Sequence, residues 1–144
     1  IFTYADKLAI NCHSCISIPY QHAGITALKG PQDSVNNMII EFEKRRDFLV
    51  KELNLIKNIS CVNPGGAFYV FPSCKGVIGK VDESNNKITN DEEFTTSLLE
   101  HAGVAVVQGS AFGLEGYFRI SYATSDENLK NACVRMRDFL NKLR

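Results

Sequence analysis

The chain has 144 residues, of which 44% are hydrophobic, and its 16 basic and 16 acidic residues balance to a net charge of zero. This length suits one domain with a buried core. A neutral chain argues against the broad basic surface that nucleic acids and anionic membranes require. No apolar run approaches the roughly 18 residues of a membrane span, and the start has no signal-peptide pattern. The first residue is not methionine, so we expect the sequence to continue a longer chain.

The five cysteines are odd in number and scattered, which indicates reduced thiols in the cytoplasm rather than a disulfide framework. Cys12 and Cys15 have the C-x-x-C spacing of a zinc or redox site. A structural zinc site needs four ligands, and no second close pair exists. A redox pair would need a thiol of low pKa, which a sequence does not reveal. We therefore predict that both are small buried hydrophobic residues.

The first half of the chain predicts three helices. A weak helix over Ala5–Cys15 is interrupted at Pro19, and a second over Tyr20–Lys29 stops at Gly30. The longest helix is predicted over Gln32–Leu55. Its buried stripe is predicted to comprise Val35, Met38, Ile39, Phe42, Leu49 and Leu53.

The middle of the chain predicts two strands followed by a polar surface loop. Ile59–Val62 is a short candidate strand, and Ala67–Pro72 is rich in aromatic and β-branched residues. Phe68 on the second strand is a possible wall of a ligand cleft, and packing in the core is the alternative. The polar stretch Lys75–Asn90 is predicted to be a surface loop.

Two further helices are predicted in the second half. Asn90 or Asp91 caps a helix over Glu92–His101, which Gly103 ends, and Ser125 caps the last helix. The inward face of the first of these helices is predicted to comprise Phe94, Leu98 and Leu99. The stripe of the last helix comprises Leu129, Cys133, Met136, Phe139, Leu140 and Leu143.

Two strands and a glycine loop lie between these helices. Val104–Val107 is a short apolar strand, and Tyr117–Tyr122 is a second strand on which side chains alternate between faces. The loop between them is punctuated by glycines at 109, 113 and 116. The mixed order of helices and strands predicts an α+β fold, a small three- to four-stranded sheet covered by helices. The strands Ala67–Pro72 and Tyr117–Tyr122 are predicted to be central.

Arg119 is the one charged residue of its strand and the strongest candidate for a binding group. Its planar fork of donors matches a carboxylate in a bidentate way. One hypothesis is that Arg119, held on a rigid strand beside a glycine loop, binds the carboxylate of a small acid. An ordinary strand arginine that faces water, or pairs with Asp or Glu, is the other.

Several motifs, taken in order, carry a family resemblance. V-A-V-V-Q-G-S-A-F-G at 104–113 is followed by R-I-S-Y-A at 119–123. Before them stand G-P-Q-D at 30–33, a helix with two adjacent arginines at 45 and 46, and P-G-G-A-F-Y-V-F-P at 64–72. Together they resemble the C-terminal region of class I pyridoxal-phosphate aminotransferases of the aspartate aminotransferase type, from about residue 8 to residue 144.

The resemblance implies a domain layout, a substrate and a role for Arg119. Residues 1–30 correspond to part of a connecting helical segment, and residues 31–144 to the C-terminal small domain. Arg119 stands where the family holds the substrate α-carboxylate. The implied full-length enzyme is a homodimer that transfers amino groups between amino acids and 2-oxo acids, most plausibly between aspartate and 2-oxoglutarate, with pyridoxal 5′-phosphate as cofactor.

The family's lysine that forms the Schiff base, in its serine-lysine motif, is not in this sequence, and neither is the following glycine-x-arginine. We therefore expect no catalytic, cofactor-binding or metal-binding residue here, and no transaminase activity from this chain alone. Gln108 stands where the family often has proline, which leaves Arg119 untouched.

Two other functions are compatible with the sequence. One is a free-standing α+β module that binds an amino acid or serves as a regulatory partner; zero net charge and the lack of a helix-turn-helix argue against direct contact with DNA. The other is a severed domain that keeps its fold without activity. Such a domain would expose apolar surface and self-associate through it.

Overall fold

The structure, a computed structural model, describes all 144 residues and divides into two compact units, residues 1–37 and 38–144. The sequence-based boundary between residues 30 and 31 stays a prediction. The first unit contains helices α1 (Phe2–His13) and α2 (Ile18–Lys29) and the start of α3 (Asp33–Asn54). Pro19 lies in the first turn of α2, where a backbone N–H has no helical partner to lose.

Cys12 and Cys15 are both exposed, so the prediction that they are buried is wrong. No residue of α1 or α2 is buried. Helical spacing places apolar residues on one face of a helix but does not supply the surface that would cover that face. No group of His, Cys, Asp or Glu in the chain is arranged to hold a metal ion.

The predicted apolar stripe of α3 is buried only in its C-terminal half. Leu49 and Leu53 are fully buried, whereas Met38 and Ile39 are each 52% exposed. Val35 is exposed as well. The hydrophobic core of the second unit therefore begins in the later turns of α3, and the periodicity continues beyond the part that packs.

Three short strands form one antiparallel sheet in the order β1 (Tyr69–Val70), β3 (Phe118–Ser121), β2 (Val107–Gln108). The expected α+β class and the three- to four-stranded sheet are confirmed. β3 is central, as predicted. β1 lies at the edge, so the prediction that both strands are central is half wrong.

The strand predicted over Ala67–Pro72 shortens to two residues for local reasons. Ala67 has a positive φ of 71°, which breaks the extended conformation, and Pro72 has no N–H to donate. Backbone pairing with β3 continues at both ends through other groups, since Tyr122 N–H donates to the carbonyl of Phe68 at 2.9 Å. The candidate strand Ile59–Val62 reduces to a single bridge between residues 60 and 73.

Helices α4 (Asp91–Ala102) and α5 (Asp126–Lys142) begin at side-chain caps. The side chain of Asn90 accepts from the N–H of Glu93, and Ser125 accepts from the N–H of Asn128. Gly103 ends α4 in the left-handed conformation with φ 64°, as its position predicts. Leu99 is 51% exposed, so its predicted place on the inward face of α4 is wrong.

The core packs one face of β3 against helices α3, α4 and α5. Phe118, Ile120 and Tyr122 alternate along the strand and are all buried, as predicted. All six residues of the predicted α5 stripe are buried too. None of the helices has the length and apolar character that crossing a membrane demands.

The stretch Lys75–Asn90 is more than a surface loop. Val77 and Ile88 are buried in the core, and the carboxylate of Asp82 is only 3% exposed. Asp82 accepts hydrogen bonds from the N–H of Asn86 at 2.8 Å and from the hydroxyl of Ser97 at 3.0 Å. A buried carboxylate thus joins this stretch to α4.

Candidate functional site

Arg119 lies in the middle of β3, paired across the sheet with Val107, on the face opposite the core. It is half-buried and forms no ion pair with any Asp or Glu. Its guanidinium carbon lies 4.6 Å from the ring centre of Phe112 and 5.5 Å from that of Tyr69. The sequence also allowed an ordinary strand arginine that pairs with an Asp or Glu of the chain, and the structure shows no such pair.

Aromatic rings line this face of the sheet, and we call Tyr69, Phe71, Phe112 and Tyr117 the aromatic row. Phe71 meets Phe112 edge-on at 6.0 Å and stacks on Tyr117 at 5.9 Å. Lys75 places its Nζ 4.9 Å from the centre of the Tyr117 ring. Attraction between a cation and a ring face holds a guanidinium without using its N–H donors. The row therefore positions Arg119 while leaving its fork of donors for another acceptor.

Phe68 is 53% exposed, so the alternative that it packs in the core is contradicted. Its ring meets Tyr69 edge-on at 5.5 Å, beside the aromatic row. This places Phe68 next to a ring that contacts Arg119. Its role as a cleft wall stays a prediction.

The face around Arg119 is open rather than enclosed. Two concave regions of about 700 and 430 Å³ lie elsewhere, around Asn86 and around Arg135, and Arg119 lines neither of them.

A tightly closed loop joins β2 to β3 and carries Phe112. It begins with a 3-10 helix over Gly109–Phe112, and the N–H of Gly109 donates to the carbonyl of Tyr117 at 2.8 Å. Gly113 and Gly116 have φ of 78° and 76°, the left-handed region that favours glycine. These bonds fix the loop, and with it the ring under Arg119.

We expect Gly109→Ala to destabilise the protein by about 1–3 kcal/mol, because a methyl group there overpacks a closed backbone loop. The added Cβ would clash with the carbonyl oxygen of Leu114 and would lie 2.7 Å from that of Tyr117. Gly65→Ala is the matched control, since its Cβ would meet nothing within 4 Å. Urea unfolding measures both, and equal midpoints for the two variants would contradict the crowding argument.

Asp91 is a part of this site that sequence reasoning missed. Its carboxylate is 1% exposed and accepts from the N–H of Ser110 at 2.7 Å and the N–H of Gly116 at 3.4 Å. Burial by itself disfavours the charge, but these N–H groups outweigh it and hold the pKa of Asp91 below its usual range. An acidic residue at the start of a helix has an ordinary local explanation, so no sequence signal marks these partners 19 and 25 positions away.

The matching family model and the similar relatives are all aminotransferases. The family model of aminotransferase class I and II matches residues 3–136. The chain is 51% identical to an aspartate/prephenate aminotransferase of Cereibacter sphaeroides over 119 residues, which cover 83% of this chain and 30% of that protein. It is 48% identical to an aspartate aminotransferase of Rhizobium meliloti over 135 residues, 94% of this chain and 32% of that protein.

Solved structures agree with the sequence relatives. The crystal structure of the aspartate aminotransferase from Rhizobium meliloti superposes with a TM-score of 0.90 at 46% identity, covering 95% of this chain and 34% of that one. An alanine aminotransferase from Pyrococcus furiosus gives a TM-score of 0.82 at 36% identity, covering 94% and 33%. The chain therefore spans about a third of the length of the proteins that it matches. Because the family model covers most of its residues, this chain belongs to the class I and II aminotransferases.

Proposed function

We propose that this chain provides the carboxylate-binding side of the active site in a pyridoxal-phosphate-dependent amino-acid aminotransferase, with Arg119 holding the substrate α-carboxylate. The observation that carries the proposal is the state of Arg119. It is a permanent cation, held by Phe112 and Tyr69, with no carboxylate partner in the chain. A charge-assisted, bidentate bond to a carboxylate is what such a group forms best.

The reaction we propose is amino transfer between aspartate and 2-oxoglutarate. Relatives at about half identity are named aspartate or aspartate/prephenate aminotransferases, which supports this choice. Both substrates carry a carboxylate next to the reacting carbon. One fixed cation therefore serves the amino acid in the first half of the reaction and the oxo acid in the second.

Arg119 contributes orientation rather than proton transfer. A guanidinium fork that grips both oxygens of the α-carboxylate fixes the direction of the neighbouring Cα bonds, and correct orientation lowers the barrier by removing rotational freedom before the reaction. The strand supplies the rigidity, since β3 is paired on both sides.

Aminotransferases of this family use pyridoxal 5′-phosphate, but the lysines of this chain do not suit that group. An amine that forms a Schiff base is activated by burial or by a neighbouring cation. Nine of the ten lysines are exposed, and Lys80 is half-buried. We assign none of them to the cofactor, and we propose that the cofactor is bound by residues outside this chain.

The direct test is an assay of the gene product that carries this chain, as expressed in its source. Conversion of 2-oxoglutarate to glutamate that requires both L-aspartate and pyridoxal 5′-phosphate is the expected result. The alternative is a binding or regulatory module without catalysis. Calorimetric binding of succinate with no amino transfer would favour that alternative over ours.

The proposal includes a homodimeric assembly of the full-length enzyme, as the family resemblance implies. Light scattering on the purified gene product measures this directly. A monomer mass at working concentration would contradict the dimer without affecting the role of Arg119.

A further inference from the structure

We propose that Asp91 is a positioning residue for Arg119. By holding both ends of the loop between β2 and β3, it seats the Phe112 ring against the guanidinium. The effect on substrate binding rests on the proposed function of Arg119; the effect on the loop does not. Asp91 touches neither the guanidinium nor a substrate, so its action is through the loop.

The geometry of Asp91 is that of a clamp. One carboxylate oxygen accepts from the N–H of Ser110, at the start of the loop, at 2.7 Å. The other accepts from the N–H of Gly116, at its end, at 3.4 Å. The carboxylate is buried and belongs to the first turn of α4, where the helix dipole favours a negative charge. The loop is therefore tied to a helix of the core.

The loop reaches Arg119 by two routes. Phe112 lies between the two clamped residues, and its ring is 4.6 Å from the guanidinium carbon. Gly116 leads within three residues into Arg119 itself. Loss of either clamp bond would therefore disturb a contact of Arg119 and the entry of its strand.

A carboxylate is the side chain that suits this position. It offers two acceptor oxygens to two N–H donors that come from opposite ends of the loop. Asparagine offers one oxygen and turns an NH₂ group toward the other donor, which leaves a buried N–H unsatisfied. The lowered pKa of Asp91 agrees with a carboxylate that is better stabilised in the folded protein than in water.

Asp91→Asn in the full-length enzyme tests the inference, with Asp82→Asn as the matched control. Asp82 is another buried carboxylate that is bonded to α4, but its partners Asn86 and Ser97 lie outside the loop. We expect Asp91→Asn to raise KM for L-aspartate about tenfold, the equivalent of one hydrogen bond to a charged group. We expect kcat to change by less than about twofold, because the chemical step is not touched.

Two further readouts separate positioning from general stability. Both variants are expected to lower the melting temperature, but only Asp91→Asn should raise KM. Hydrogen exchange of the Ser110 and Gly116 amides should be about tenfold faster in Asp91→Asn and unchanged in Asp82→Asn. Phe112→Leu alone should raise KM. Adding Asp91→Asn to Phe112→Leu should then raise KM by a smaller factor than Asp91→Asn does in the wild-type enzyme.

Equal KM values for Asp91→Asn and Asp82→Asn would overturn the inference, whatever their melting temperatures. If Asp91→Asn fails to fold, Asp91→Glu replaces it: the charge is kept, the oxygens are displaced by one methylene, and an unchanged KM would overturn the inference as well. Failure of the proposed function looks different. In that case the replacement of Arg119 itself leaves KM unchanged, while the faster exchange of the loop amides persists.

Discussion

Replacement of Arg119 by leucine in the full-length enzyme is expected to lower kcat/KM for L-aspartate by about 10²-fold or more, the worth of a charge-assisted bidentate pair. KM should rise because the ground state loses its carboxylate anchor. The same loss is expected for 2-oxoglutarate, since in the proposed function the oxo acid binds the same cation. Steady-state kinetics for both substrates measures the effect.

Two controls make this prediction specific. Arg119→Lys keeps the charge over Phe112 and Tyr69 but loses the planar fork, so an intermediate loss is expected. Arg135→Leu removes an exposed arginine of α5 that has no ion pair, and we expect kcat/KM to be unchanged. An Arg119→Leu enzyme with wild-type kcat/KM would refute the carboxylate role.

Phe94→Ala is expected to lower the free energy of unfolding by about 3–5 kcal/mol, as for other large buried aromatic residues. Phe94 is 0% exposed and joins three elements of the second unit. From α4 its ring meets Phe118 of β3 at 5.3 Å and Phe139 of α5 at 6.5 Å. Truncation leaves a cavity between them that the surrounding helices fill only in part. Urea unfolding measures the loss.

Leu99→Ala on the same helix is the control for this prediction. Leu99 is 51% exposed, so we expect a change within about 0.5 kcal/mol, as for ordinary surface substitutions. The sequence alone places both residues on the inward face. Similar losses for the two variants would mean that Leu99 is buried in solution and that the face of α4 differs from the structure.

Local patterns predicted the elements that depend on local physics. The alternation on β3 follows from the period of a strand, and the five buried residues of α5 follow from helical spacing. The caps at Asn90 and Ser125 depend on groups three residues away. In each of these cases the interacting groups are neighbours in sequence, so the pattern contains the necessary information.

The features that the sequence did not predict depend on distant partners. In the sequence, Asp91 looks like an ordinary acidic residue in the first turn of a helix. Its bonds to the loop at 110–116 exist only in the folded protein. The rings that hold Arg119 come from residue 69 and residue 112. β1 lies at the edge because β3 pairs with β1 on one side and with β2 on the other, and this pairing joins strands that are far apart in the sequence. Arg119 itself was a candidate from its strand and its family motif, but its freedom from ion pairs required the three-dimensional structure.

The strand order also constrains how the sheet folds while the chain is being synthesised on the ribosome. β1 and β2 both pair with β3 and not with each other, yet β3 is the last strand to be synthesised. Neither β1 nor β2 can pair with β3 until residue 121 has left the exit tunnel, so this sheet forms only after the whole of the segment that contains it has been synthesised. Because each waiting strand is only two residues long, the nascent chain offers little edge for pairing with a neighbouring chain.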